Sequence, residues 1–160
     1  MCEQPSPFST YRTAVRDEWL DYNGHMHDAS YATVLSDAHE ELFVFLGLSE
    51  AYRVTAGAAL YTVECHIRYL TECSRGQVLW AATTMVAADA RKVRLHTELR
   101  HEDGRAAATG EFMYLHVDTA LGTTTAMPPD QHERVQDMLL AHAGLPRPPH
   151  LGLGVGAGRV

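Results

Sequence analysis

One long helical segment, in a chain whose other segments are mostly strand-like, limits this sequence to few architectures. Apolar residues recur at the three- and four-residue spacing of one helical face: Tyr31, Val34, Leu35, Ala38, Leu42 and Phe45. Asp28 stands where a capping residue would begin the helix, and Gly47 stands where a glycine would end it. Phe43 and Leu46 widen the apolar face, which indicates burial on more than one side.

Strand-like segments account for most of the remaining sequence. A first strand is expected within residues 10–18, and four more follow a loop at 49–57, over residues 60–70, 78–88, 92–100 and 106–117. The last two are joined by Asp103-Gly104, a strong hairpin signal. Short turns between consecutive strands predict an antiparallel meander, and therefore an α+β fold with about five strands against one long central helix.

A second, shorter helix and a tail complete the predicted organisation. Pro128 and Pro129 precede this helix, and Asp130 with Glu133 has the spacing of a capping box. Residues 1–145 are expected to form a single domain. Residues 146–160 are rich in proline and glycine, so we expect a flexible C-terminal tail.

Composition excludes several classes of partner. The net charge of −7 argues against binding nucleic acid or an anionic membrane. No apolar run approaches the roughly 20 residues needed to span a bilayer, and the N-terminus has no secretory signal pattern. The three cysteines have neither the number nor the spacing of a disulfide framework or zinc ribbon, so a cytoplasmic location is the default expectation.

The junction before the long helix holds the main candidate for chemistry. Asp21 precedes the helix start, and its carboxylate can act as a general base or attack a carbonyl directly; alternatively it only stabilises a turn. Gly24 permits a tight turn and close approach of a substrate to the backbone, or it is an ordinary turn glycine. If the helix begins near Asp28, the N–H groups of residues 27–30 would face an oxyanion formed beside Asp21. His25 is expected to support this turn.

Other polar clusters are weaker candidates. Arg68, Arg91 and Lys92 could contact a phosphorylated ligand, or they form an ordinary solvated surface. Glu64 lies on the polar face of a predicted strand. The histidines near the helix start lack the spacing of a metal-binding helix, so no metal site is predicted.

The run Asp21-Tyr22-Asn23-Gly24-His25-Met26, followed by Tyr31 and a helix ending at residues 46–48, resembles the 4-hydroxybenzoyl-CoA-type thioesterases of the hotdog-fold superfamily. Residues 61–70 and 109–113 are similar to later strands of that family. Within it, the chain is most similar to the betainyl-CoA thioesterase group of carnitine breakdown. One departure is His27-Asp28, where relatives commonly have asparagine after Gly-His-Met; it concerns acyl specificity more than reaction class.

This resemblance implies a sheet wrapped around the helix and an acyl-CoA thioesterase that forms a homodimer or homotetramer, with active sites at the dimer interface. Asp21 matches the catalytic carboxylate, and the backbone N–H near Asp28 matches the donor that polarises the thioester carbonyl. No separate cofactor is implied, because CoA enters as part of the substrate. The alternatives are a hotdog enoyl-CoA hydratase using Asp21 and His25 as base and acid, or a non-catalytic acyl-CoA-binding protein.

A cationic betainyl group would need aromatic or acidic neighbours. Aromatic side chains are available at five positions, Tyr69 among them, and each could equally fill the core. The residues expected to contact the acyl group are Trp19, Tyr22, Asn23, Tyr31, Tyr61 and Glu64, the last as a counter-charge.

Overall fold

The computed structural model describes residues 6–158. A short 3-10 helix covers Asp17–Trp19. The other elements, in chain order, are β1 (Arg12–Ala14), α1 (Asp28–Leu46), α2 (Glu50–Ala56), β2 (Ala58–Tyr69), β3 (Val78–Ala88), β4 (Lys92–His101), β5 (Ala106–Asp118), β6 (Thr123–Thr124) and α3 (Pro129–His142).

Helix α1 has the predicted extent, but a different residue caps it. The N-cap is His27, whose Nδ1 accepts a hydrogen bond from the N–H of Ala29 at 3.2 Å. Asp28, predicted as the cap, is instead the first helical residue, because His27 already has the extended backbone of a cap. The prediction for Gly47 is confirmed: its φ of 73° lies in the left-handed region and ends the helix.

The antiparallel sheet contains the predicted strands in a different order from a meander. Its order is β1-β3-β4-β5-β2, with β6 paired to β5. The hairpins β3–β4 and β4–β5 are confirmed, and Gly104 has the positive φ of 85° that the second turn needs. The predicted pairing of β2 with the next strand is wrong, because β2 pairs with β5 at the opposite edge from β1.

Three local predictions are corrected by the structure. The predicted loop at 49–57 contains helix α2, a single short element bounded by Ser49 and by Gly57 with a φ of 65°. The first strand covers only three residues. Helix α3 has no capping box, since Pro128 is its N-cap and Pro129 occupies the first helical position, where proline needs no N–H partner.

Helix α1 packs closely against the inner face of the sheet, which confirms the α+β layout. Leu35 and Leu42 are fully buried there, whereas Phe45, predicted on the apolar face, is 61% exposed and contacts the Phe8 ring. A Cβ added to Gly110 of β5 would lie 2.7 Å from Leu35 Cδ1, so this glycine permits the close approach of helix and sheet.

A buried polar network lies within this core. His39 of α1 is fully buried, with Nδ1 2.7 Å from the Tyr114 hydroxyl and Nε2 2.7 Å from the Thr97 hydroxyl. Thr97 in turn lies 2.9 Å from the hydroxyl of Thr83. Burial lowers the pKa of His39 to about 3, so its imidazole is neutral and uses one nitrogen as donor and the other as acceptor.

The tail beyond residue 145 forms turns against the outer face of the sheet. His96 Nε2 lies 2.8 Å from the carbonyl of Pro149, and the N–H of Gly152 donates to Glu111 Oε2 at 2.8 Å. The Arg68 guanidinium donates to the carbonyl of Ala157 at 2.7 Å. The flexibility of this tail stays a prediction. In the part of the chain that the structure describes, no helix is long and apolar enough to cross a bilayer.

Candidate active site

Residues 21–25 form a closed turn that fixes the Asp21 carboxylate. The backbone N–H of Asp21 donates to the carbonyl of His25 at 2.8 Å, and the N–H of Gly24 donates to that of Asp21 at 3.0 Å. Asp21 Oδ1 accepts from the N–H groups of Asn23 and His25 at 2.8 and 3.2 Å. Gly24 has a φ of 78°, which explains a glycine here.

These contacts keep Asp21 ionised. Partial desolvation acts to raise its pKa, but the N–H donors of Asn23 and His25 outweigh it and hold the pKa below the ordinary value of an aspartate. The turn therefore presents a negative carboxylate at neutral pH. Stabilising the turn and supplying a base or nucleophile are compatible roles for this one side chain.

The start of α1 leaves one backbone donor beside this turn. The N–H of His27 donates to the carbonyl of Trp19 at 2.7 Å, and the N–H of Ser30 donates to that of His27 at 2.9 Å. The N–H of Ala29 is used by the side chains of His27 and Asp28. Within residues 27–30, and among the partners that the structure describes, this leaves the N–H of Asp28 for an external acceptor.

A cavity of about 370 Å³ brings several predicted residues together. Its lining includes Asp21, Asn23, His25, Asp28 and Tyr31, all named from sequence. The remaining lining residues are Met26, Tyr69, Leu70, Thr71 and Glu72. Of these five, Met26 belongs to the sequence motif that begins at Asp21, and Tyr69 is one of the five aromatic side chains noted as available.

The segment after β2 forms one wall of this cavity. Glu72 Oε2 lies 3.4 Å from His25 Nε2, and the N–H of Met26 donates to the carbonyl of Cys73 at 2.8 Å. The sequence signal for Glu72 is weak: it lies three residues after the end of β2, and only long-range contacts such as the bridge between His25 and Ser74 bring this segment to the Asp21 turn.

Two tyrosines form another part of the lining. Tyr31 is buried, and its ring centroid lies 5.1 Å from that of Tyr69 with the planes at 80°. The Tyr69 hydroxyl donates to the backbone carbonyl of Asp28 at 3.3 Å. Burial and a contact with the Cys73 thiol raise the pKa of Tyr31, so its phenol stays neutral.

The structure places the other predicted acyl-group contacts away from this cavity within one chain. Trp19 is buried, with the Arg16 guanidinium 4.8 Å from its ring, and Tyr22 is 97% exposed to solvent. Tyr61 lines a separate cavity beside α2. Glu64 lines cavities on the outer face of the sheet, where Arg94 and Glu111 pair.

The predicted CoA contacts are also outside the lining. Arg68 is buried beneath the tail, and its Nε has no hydrogen-bond partner among the described residues. Arg91 and Lys92 lie at the β3–β4 turn, where their N–H groups donate to Asp89 Oδ1 at 2.8 and 3.1 Å. Lys92 Nζ also lies 3.4 Å from Asp89 Oδ2.

A known protein family matches most of this chain, including the region that forms the cavity. Residues 15–135 match the model of the family described as the thioesterase-like superfamily. In residues 6–158, no group of three or more His, Cys, Asp or Glu side chains is arranged to hold a metal ion.

Individual relatives cover nearly the whole chain. An Agrobacterium fabrum protein named L-carnitine dehydrogenase/betainyl-CoA thioesterase is 43% identical over 96% of this chain, which spans only 31% of that relative. A Pseudomonas aeruginosa betainyl-CoA thioesterase is 34% identical over 92% of this chain and 94% of its own length.

A solved structure extends this likeness to three dimensions. A Staphylococcus aureus protein, solved in complex with CoA, superposes with a TM-score of 0.87 at 27% identity, covering 94% of this chain and 96% of that one. The Asp21 turn, helix α1 and strands β2 to β6 all lie within the region matched by the family model. The chain therefore belongs to the thioesterase-like superfamily.

Proposed function

We propose that this protein is an acyl-CoA thioesterase that hydrolyses betainyl-CoA to the free acid and CoA. One observation carries the proposal: the ionised Asp21 carboxylate and the Asp28 N–H lie at the same cavity. A base or nucleophile and an oxyanion donor in one cavity are the two groups that thioester hydrolysis needs. The names of the A. fabrum and P. aeruginosa relatives support the choice of acyl group.

The reaction follows from this arrangement. Asp21 takes a proton from water that attacks the thioester carbonyl, or attacks the carbonyl itself to give a mixed anhydride that water then opens. In either case the carbonyl oxygen becomes negative and accepts a hydrogen bond from the N–H of Asp28, at the positive end of α1. The C–S bond then breaks, and the CoA thiolate takes up a proton. No step needs a metal or further cofactor.

We propose a homodimer or homotetramer as the active form. Strand β2 lies at one edge of the sheet. Four apolar or aromatic side chains along this strand or at its end are 38–52% exposed: Tyr61, Val63, Tyr69 and Leu70. An apolar edge strand is suited to pairing with a second copy. Because Tyr69 also lines the Asp21 cavity, that pairing would place the partner beside the site. The free Cys65 and Cys73 support a reducing, cytoplasmic location.

Release of CoA from a panel of thioesters tests this function. The panel contains betainyl-CoA, benzoyl-CoA, and short- and medium-chain acyl-CoAs, with a blank because exposed Cys65 reacts with thiol reagents. In Asp21→Asn we expect kcat for betainyl-CoA to fall by about 10²–10⁴-fold, while binding is retained. Asp103→Asn is the matched control, since Asp103 holds a similar turn through the N–H of Arg105 outside the cavity.

The oxyanion donor is tested by comparing two substitutions of Asp28 that both remove the carboxylate but differ in whether the backbone N–H is present. Asp28 is the first helical residue, where proline is favoured, and His27 has φ −61° and ψ 143°, which a following proline permits. We expect Asp28→Pro to lose about 10²–10³-fold in kcat relative to Asp28→Ala, which keeps the N–H.

Turnover at the wild-type rate in Asp21→Asn would contradict the mechanism. No CoA release from any thioester would overturn the enzymatic assignment and leave an acyl-CoA-binding protein. If an enoyl-CoA is added instead, loss of its absorbance without CoA release would identify a hydratase.

A further inference from the structure

We propose that Tyr31, Tyr69 and Glu72 form the subsite that binds a quaternary ammonium group on the acyl chain. This inference rests on the proposed thioesterase function, and it names the residues that would select the acyl group. Its starting point is the chemistry of the cavity wall, in which two aromatic rings and an acidic side chain lie beside the Asp21 turn.

The two rings form a corner. Their planes meet at 80° with centroids 5.1 Å apart, which is an edge-to-face contact between two rings of the cavity lining. Tyr31 is held by the core, with 4% of its surface exposed, and the Tyr69 hydroxyl is anchored on the backbone of Asp28. A cation near an aromatic ring face is attracted by the negative potential of that face, most strongly when the cation is desolvated. Leu70 adds apolar surface suited to N-methyl groups.

The charge of the cavity favours a cation. Asp21, Asp28 and Glu72 supply three carboxylates to its lining, and no lysine or arginine of residues 6–158 belongs to that lining. Asp21 is assigned to the chemistry, and Asp28 Oδ1 is already engaged by the N–H of Ala29. Glu72, whose side chain is 77% exposed and whose Oε2 lies 3.4 Å from His25 Nε2, is the carboxylate that we assign to face the ammonium group.

The size of the acyl group requires this proximity. In a betainyl thioester a single methylene separates the ammonium nitrogen from the reacting carbonyl carbon. Residues that bind the cation must therefore line the same cavity as Asp21. Tyr31, Tyr69 and Glu72 meet this condition within one chain, whereas Tyr61 and Glu64 line other cavities.

A neutral isostere of betainyl-CoA isolates the contribution of the positive charge to substrate preference. In 3,3-dimethylbutanoyl-CoA, a quaternary carbon replaces the nitrogen of betainyl-CoA with almost no change of shape. We expect wild-type protein to favour betainyl-CoA over this isostere in kcat/KM, and we expect Tyr69→Leu and Glu72→Gln each to reduce that preference about tenfold. Glu102→Gln, which removes an exposed charge on the β4–β5 turn, should retain it.

A binding measurement separates failure of this inference from failure of the proposed function. Calorimetry in the Asp21→Asn background compares the affinities of the two thioesters without turnover. If Asp21-dependent hydrolysis is present but Tyr69→Leu and Glu72→Gln leave the preference unchanged, the subsite is wrong and the function stands. If no thioester releases CoA, a preference for betainyl-CoA in calorimetry that Glu72→Gln abolishes still supports the subsite, and equal affinities overturn it.

Discussion

The side chains of Asp21 and His39 show how environment sets the charge of a single residue. Asp21 lies at the surface, where two backbone N–H groups hold its pKa low and keep it negative. His39 lies in the core, where burial lowers its pKa to about 3 and keeps it neutral. The first environment keeps the carboxylate that we propose for catalysis charged at neutral pH, and the second makes the folded state sensitive to acid.

The acid sensitivity of His39 has a definite sign. Its pKa is about 3 in the folded state against 6.5 in the unfolded state, so below pH ~6.5 the unfolded chain binds a proton that the folded chain does not. Because of this difference, we expect the free energy of unfolding to fall by about 1.4 kcal/mol for each unit by which the pH is lowered from ~6 to ~4. Urea unfolding at pH 7.5, 5.5 and 4.5 measures it.

The comparison variant is His39→Gln, which retains polar atoms in the network but does not titrate. Its unfolding free energy should fall less steeply over the same range, although a slope remains because burial also lowers the pKa of His96, His101 and His142. Equal slopes in wild type and variant would show that His39 does not titrate as expected.

Among the elements, those specified by local sequence were predictable. The spacing of Val34, Leu35 and Leu42 gives α1, and Asp103-Gly104 gives the β4–β5 turn, because each depends on neighbours along the chain. The pairing of β2 with β5 was not predictable in this way, since it joins residues such as Cys65 and Phe112. Helix α2 was missed because seven residues with no buried side chain carry little periodicity.

The same contrast between local and long-range contacts separates the site residues that were predicted from those that were not. The turn at Asp21 and the start of α1 were visible in one continuous segment, and they line the cavity as expected. Thr71 and Glu72 join them only through long-range contacts, which local spacing does not contain. Glu64, chosen as counter-charge from its place on a polar strand face, faces the opposite side of the sheet.

The packing of α1 against β5 gives a prediction at the scale of elements. In Gly110→Ala the new methyl would lie 2.7 Å from Leu35 Cδ1 and 2.8 Å from Phe112 Cε2, so buried side chains must shift. We expect a loss of about 1–3 kcal/mol in the free energy of unfolding, measured by urea denaturation. Gly154→Ala, with nothing within 4 Å of the added Cβ, is the control; equal stabilities would mean that the helix adjusts freely.

At the scale of the whole molecule, the free edge of β2 predicts assembly. Val63 is 52% exposed in this strand, and a lysine there would place a charge in the proposed interface. We expect wild-type protein to sediment as a dimer or tetramer and Val63→Lys to shift toward monomer at equal concentration. Val155→Lys, at a 94% exposed tail position, should sediment as wild type. A monomeric wild type would refute the interface.

The position of Tyr31 has a consequence for any attempt to change the acyl preference. Its ring belongs both to the cavity wall and to the hydrophobic core, with 4% of its surface exposed. A library that varies Tyr31 would therefore select for folding and for substrate at once, and most members would be lost to misfolding. Tyr69 is 41% exposed and the Glu72 side chain is 77% exposed on the same wall, so randomising these two positions would let laboratory evolution explore new acyl groups at less cost to the core.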